Sequence, residues 1–243
     1  KRYNSGISVI ICCFNSAGRI RPTLEALQNQ SDAGEIPWEV ILVDNASTDN
    51  TGKIAEETWT RRDIPFHVIE EKKPGKSNAL LKGVDFSQYS FFATVDDDNW
   101  VPENYISRTY QLMKEHTDIG ILGIRGEGVF EEPPPDHVIR YQKAFAIGPQ
   151  ASRAGYVEDE QSFLYGACSV FRRETWDHLW ENDFKYYIVG RTKSSLISGE
   201  DSELSLAFVL AGKRLWYEPS LVFQHDLPVR RFTWPYFVKL TRA

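Results

Sequence analysis

The stretch Phe91–Pro102, FFATVDDDNWVP, decides how the chain is read. An apolar β-type run ends in three consecutive carboxylates, Asp96, Asp97 and Asp98, ahead of a proline well placed near a helix start. Crowded like charges repel unless a cation or hydrogen-bond donors offset them, so something positive is expected there. Residues i and i+2 of a strand project to one face, and on that basis Asp96 and Asp98 are expected to converge. Hard divalent cations such as magnesium or manganese suit carboxylate oxygens and complete their shells with substrate phosphates. A metal bridging the carboxylates and a diphosphate is one reading of the run. An Asp-rich turn capping the helix near Pro102 is the other.

Outward from this stretch, strand-like and helix-like segments alternate at short intervals, the pattern of βα units around a mainly parallel sheet. ISVIICC, WEVILVD, FHVIEE and SFFATVD read as strands, and IGILGI as another after the aspartates. Ile20, Leu24 and Leu27 recur at helical spacing, as do Ile106, Tyr110 and Met113. The run EEPPPD breaks the alternation, because three prolines continue neither helix nor ladder, and it marks a soft boundary between residues 1–125 and 126–243. Beyond it lie a polar stretch from Gly148 to Glu160, the segment YGACSVFRRETW, and a helix carrying Leu204, Phe208 and Ala211. No internal repeat is visible.

An apolar fraction of 42% supports a buried core and argues against disorder. A net charge of −6 leaves no basic footprint for nucleic acid. No apolar run approaches the roughly 20 residues that cross a bilayer, and KRYNSG lacks a signal-peptide core, so a cytoplasmic chain is expected. Basic residues do alternate with aromatics in the final stretch PVRRFTWPYFVKLTRA, which suits either a peripheral membrane contact or an ordinary amphipathic helix. Cys12, Cys13 and Cys168 have no C-x-x-C spacing and read as reduced core residues.

Nucleotide-binding glycine loops are absent. CCFNSAGRI lacks G-x-G-x-x-G, and PGKSN fails as a P-loop ending because Glu70 stands five residues before Gly75. The second strand, however, also ends in polar residues, Asp44 and Asn45 within VDNASTDNT. Ligands of open α/β sheets bind outside the carboxyl ends of strands, and two polar strand ends in one sheet point there together. Ser47, Thr48 or Asp49 could at the same time cap the helix containing Ile54.

Seven landmarks in order, ISVIICCFN, VILVDNASTDNT, GKSNAL, TVDDDNWVPENY, YGACSVFRRE, GEDSELSLAFVLAGKRL and FQHD, make the chain resemble a family 2 glycosyltransferase with the α/β GT-A fold over nearly its whole length. The resemblance implies an inverting transferase that uses a nucleotide-diphosphate sugar, a UDP-sugar foremost, with Mn2+ or Mg2+. By similarity the turn Cys12 to Asn15, including Phe14, holds the nucleobase and ribose with Asp44 and Asn45. Lys76 lies near the nucleotide, Asp96 and Asp97 contact the ribose and its surroundings, Asp98 binds the metal, and His225 completes the metal or diphosphate site. Asp201 within GEDSEL takes the place of the general base, and Glu200 that of a neighbouring acceptor contact. Acidic residues there also suit a helix N-terminus electrically.

Two departures qualify the resemblance. VRRFTW replaces the Gln-x-x-Arg-Trp of processive relatives, which favours transfer of one sugar to a glycan or lipid-linked saccharide. Cys12 and Cys13 stand where relatives often carry hydroxyl residues. The stretch from Gly148 to Glu160 is a candidate acceptor-side loop. A sugar nucleotidyltransferase would need a glycine- and arginine-rich first loop, of which CCFNSAGRI is a poor version. A catalytically silent nucleotide- or glycan-binding module of the same fold could dispense with Asp201.

Overall fold

The computed structural model describes residues 3–31, 33–157, 163–187 and 199–242. In chain order the elements are β1 (Asn4–Cys13), α1 (Ile20–Gln28), β2 (Trp38–Asp44), α2 (Thr51–Thr58), β3 (Phe66–Glu70), α3 (Lys76–Phe86), β4 (Tyr89–Thr94) and β5 (Asn99–Trp100). Then follow α4 (Tyr105–Glu115), β6 (Ile119–Phe130), α5 (Asp136–Arg140), β7 (Gly155–Tyr156), β8 (Val170–Arg172), α6 (Arg173–Glu181), α7 (Glu200–Leu210), β9 (Arg214–Leu227) and α8 (Trp234–Arg242). All the strands join one sheet in the order β3-β2-β1-β4-β8-β6-β9-β5, with β7 paired to β9. The first four run parallel; β8 enters antiparallel between β4 and β6. The prolines of EEPPPD therefore do not divide the sheet, since strands from both sides of them interleave in it.

Val9 to Ile11 and Val40 to Val43 are buried without a break because helices cover both faces, as parallel strands require. On one face pack α1, α2 and α4, through Leu24, Leu27, Ala55, Ile106 and Met113. On the other pack α3, α6 and α7, through Ala79, Val84, Trp176, Leu204 and Phe208. Phe92 stacks on Phe171 with ring centroids 5.0 Å apart and meets the edge of Trp176. Truncating so buried a ring costs about 3–5 kcal/mol, so this contact fixes how β4 meets β8. Gly83 lets α3 lie directly on the sheet: a Cβ there would come 2.5 Å from Ile10 Cγ2 and 3.1 Å from Val43 Cγ2.

A third, smaller core joins Val138, Phe145, Ile147, Leu227, Phe232, Phe237 and Leu240. The aromatics of the C-terminal stretch thus largely face the chain's own interior, as an ordinary amphipathic helix would place them, and Trp234 is left exposed. Among the described residues no helix is long and apolar enough to cross a membrane. Cys13 and Cys168 are buried and Cys12 half-buried, all three as free thiols.

Candidate active site

The residues that follow the carboxyl end of β4 face the starts of α3 and α7 and the end of β9. A cavity of about 700 Å³ lies there, lined by Lys76, Asp96, Asp97, Asp98, Glu200, Asp201, His225 and Arg231 among others. Seven of these were singled out in the sequence; Arg231 was not.

The three aspartates do not share one partner. β4 ends at Thr94, so the alternation of a strand no longer applies to them and each carboxylate finds its own cation. Asp96 accepts from Lys76 Nζ at 2.6 Å. Asp97 accepts from the Ser16 hydroxyl and from Arg19 Nη2, the latter at 2.7 Å. Asp98 accepts from Arg231 Nη2 at 2.8 Å, and its other oxygen lies 3.7 Å from His225 Nε2. The expected convergence of Asp96 and Asp98 is therefore replaced by three separate pairings. Capping is not their role either: α4 starts at Tyr105 behind Asn104. Asp49, by contrast, does accept from the Thr51 N–H at the start of α2, at 3.0 Å.

These environments push neighbouring carboxyls apart. Burial and the adjacent Asp98 raise Asp97, although Arg19 and Ser16 oppose the shift. Burial works against the charge of Asp98 too, but His225, Arg231 and Arg19 outweigh it and hold the carboxyl well below its usual range. Burial raises Asp201, and Glu200 and Asp96 add to this against the pull of Lys76 and a hydrogen bond from the Gly166 backbone. Lys76 is desolvated, yet Asp96 and Asp201 keep its ammonium above the ordinary lysine value. Glu200 accepts from the Gly199 N–H at 3.0 Å on the first turn of α7.

Asp98 and His225 are far apart in the chain but joined through the backbone. Asn99 pairs with His225 in the β5–β9 ladder, and Asp226 N–H donates to Asp98 O at 2.9 Å. A carboxylate oxygen beside an imidazole nitrogen is a donor set that a divalent cation can use, the carboxylate suiting manganese or magnesium. His225 Nδ1 is also buried with no hydrogen-bond partner among the described residues. The pair fits such an ion with two protein donors, leaving the rest of its shell to phosphate oxygens and water. The Arg231 guanidinium, 3.1 Å from His225 Nε2, reaches both donors.

The remaining nucleotide candidates lie outside this cavity, on the β1 and β2 loops. Asn15, held at φ +50°, accepts from Thr48 N–H at 2.8 Å and interlocks the two loops. Asn45 is a clamp. Its Nδ2 donates to Glu71 O at 3.0 Å and Lys73 O at 2.8 Å, while its Oδ1 accepts from Gly75 N–H at 2.7 Å, so its amide is engaged on both sides. Among the described residues the Asp44 carboxylate accepts just one hydrogen bond, from Ser47 N–H at 3.1 Å, which leaves carboxylate capacity open. Cys12 and Phe14 sit on the same rim, half-buried.

The polar stretch from Gly148 is not a free loop over its described part. Gly148 bridges Gly126, Gln150 Nε2 donates to Ile124 O at 2.7 Å, and Gly155–Tyr156 joins the sheet. Residues 158–160 of that stretch lie outside the described residues.

A sequence model of the family described as glycosyl transferase family 2 matches residues 8–180. The chain belongs to that family, and its fold is the GT-A fold. Glycosyltransferase GlyG of Streptococcus pneumoniae is 30% identical over 118 residues, 48% of this chain and 38% of that protein. Staphylococcus aureus TarS, solved with UDP-GlcNAc, superposes with a TM-score of 0.69 at 20% identity, over 98% of this chain and 61% of that one. The mannosyltransferase PcManGT of Pyrobaculum calidifontis, solved with GDP-Man and Mn2+, gives 0.64 at 20% identity, over 96% and 62%. The chain spans about 40% of the length of the first curated relatives it matches.

Proposed function

We propose that this chain transfers one sugar from a nucleotide diphosphate donor, a UDP-sugar foremost, to a hydroxyl of a glycan or lipid-linked saccharide, with inversion. The observation that carries this reading is one cavity holding both a cation-ready pair, Asp98 with His225, and a separate carboxylate, Asp201, whose pKa is raised. TarS solved with UDP-GlcNAc and PcManGT solved with GDP-Man and Mn2+ support the donor class.

Asp44 and the β1 turn hold the nucleobase and ribose, Asp96 and Asp97 contact the ribose and its surroundings, Lys76 lies near the nucleotide, and Asp201 removes the acceptor proton. The acceptor oxygen then bonds the anomeric carbon as the bond to the diphosphate oxygen breaks on the opposite side. Asp98 and His225 would hold Mn2+ or Mg2+, which supplies Lewis-acid neutralisation of the leaving diphosphate. Residues 1–125 form the nucleotide-sugar-binding half and 126–243 the acceptor-binding half, from which His225 reaches back to the diphosphate. On the same reading the domain works at the inner face of a membrane, with the exposed Trp234, Val229 and Arg230 touching the surface.

The test is nucleotide release from a sugar-nucleotide panel with acceptor, with and without Mn2+, for wild type and Asp201→Asn. Base catalysis contributes 10²–10⁴-fold, so the variant should lose about that factor in turnover while binding UDP normally. Wild-type turnover in the variant at saturating substrates refutes the assignment of the base.

A further inference from the structure

We propose that Gly166 is a positioning residue for the general base: the backbone of its turn is the seat of the Asp201 carboxylate, and only a residue without a side chain leaves that seat open. This rests on the reading of Asp201 as the base.

A Cβ built on Gly166 would stand 2.8 Å from Asp201 Cγ and 3.0 Å from Oδ2, and closer still to Oδ1. The Gly166 backbone in turn hydrogen-bonds that carboxylate. The glycine is therefore required by proximity to one functional group, and its φ is not in the left-handed region.

Which side would yield to a methyl group follows from how the turn is fastened. Leu164 N–H donates to Ser205 Oγ at 3.2 Å and Tyr165 N–H to Gln150 Oε1 at 2.7 Å. Thr94 Oγ1 donates to Gly166 O, and Thr94 N–H to Ser169 O at 2.9 Å. Tyr105 OH donates to Cys168 O at 3.1 Å. Three elements and the Gln150 loop thus pin residues 164–169, whereas the Asp201 carboxylate is the end of a side chain facing the cavity. In Gly166→Ala the carboxylate moves and the turn stays. A displacement near 1 Å is enough to cost about 10²-fold in rate.

Gly166→Ala is therefore expected to lower kcat about 10²-fold with donor KM and thermal midpoint close to wild type. Deprived of the Gly166 hydrogen bond that pulls it down, the carboxyl rises further, so the acid limb of the kcat profile moves to higher pH. In an Asp201→Asn background the same change should cost nothing more, because the group it displaces no longer acts. Unchanged kcat and an unchanged limb beside an inactive Asp201→Asn overturn the proposal, and so do additive losses in the double variant. Should Gly166→Ala fail to fold, Thr94→Val and Thr94→Ser decide. Val removes the hydroxyl that holds Gly166 O and should reproduce the loss and the limb shift, Ser should restore both, and equal behaviour of the two overturns the proposal. Wild-type turnover in Asp201→Asn would instead discard the base itself.

Discussion

Arg231→Met makes the sharpest demand on the site, because it separates a cation built into the chain from one taken from solution. The Asp98 carboxylate is 7% exposed and holds the Arg231 guanidinium at 2.8 Å, and the same guanidinium lies 3.1 Å from His225 Nε2. A metal ion using Asp98 and His225 must displace those contacts. A hydrogen bond to a charged group is worth about 1.5–3 kcal/mol, so removing this competitor should tighten binding of Mn2+ alone roughly 10- to 150-fold. Methionine retains much of the volume of the arginine stem, which limits the loss of packing. Without metal, the variant leaves a buried carboxylate short of its cation, a change that costs about 3–5 kcal/mol. In a chain of this size that is a fall of roughly 6–20 °C in the thermal midpoint. Saturating Mn2+ should recover a larger share of it than Mn2+ adds to wild type, since a ligand that prefers the native state stabilises it. Calorimetric titration with MnCl2 and no nucleotide, paired with thermal melts, reads both effects. Unchanged or weaker Mn2+ affinity in Arg231→Met would refute the idea that the guanidinium and the metal contend for one carboxylate.

Asp201→Asn should stabilise the fold at neutral pH. The Asp201 carboxyl is raised, so the native state keeps its proton where the unfolded chain has lost it, and stability falls as pH rises from the ordinary carboxylate range through the raised value. The advantage of the variant in thermal melts should accordingly vanish at acid pH, and an advantage that persists there would contradict the assignment. Asp44→Ala should weaken UDP binding five- to 150-fold, about 1–3 kcal/mol for a buried partner left unpaired, with Mn2+ binding intact; equal UDP affinity in calorimetry would remove Asp44 from the donor pocket. Asn45→Ala frees the 71–75 loop and should raise its susceptibility to limited proteolysis and weaken UDP binding, whereas unchanged cleavage would show that the clamp is dispensable.

The strands and the helix faces were legible because they depend on local periodicity: β1, β2, β3 and β4 lie where their apolar runs do, and Leu24 and Met113 are buried as their spacing requires. The place of the candidate site's cavity beyond β4 was legible for the same reason, since polar residues follow that run directly. What a local reading could not supply was the partner of each carboxylate. Lys76 is 20 positions from Asp96, Arg19 is 78 from Asp97 and Arg231 is 133 from Asp98, and only the assembled sheet brings them into reach. Arg231 was visible in VRRFTW, but only as a departure from a motif of processive relatives. Asn45 looked like a ligand for the donor because a side-chain amide at a strand end reads alike whether it faces a substrate or a neighbouring loop. Gly166 stood inside the landmark YGACSVFRRE, but its contact with Asp201 was not legible, as it depends on a helix that begins 34 residues later.

The pairing of Asn99 with His225 has a consequence for the order of assembly. The two halves of the cation-ready pair arrive in one place only after the chain has closed a loop of more than a hundred residues, through a two-residue strand at the sheet edge. Contacts of such long separation form slowly, because the entropy of closing the loop must be met before they return anything. The parallel β3-β2-β1-β4 block, built from shorter loops, can be in place well before then. During refolding, far-ultraviolet dichroism should recover ahead of manganese affinity, and the affinity would serve as a clock for the last edge to close.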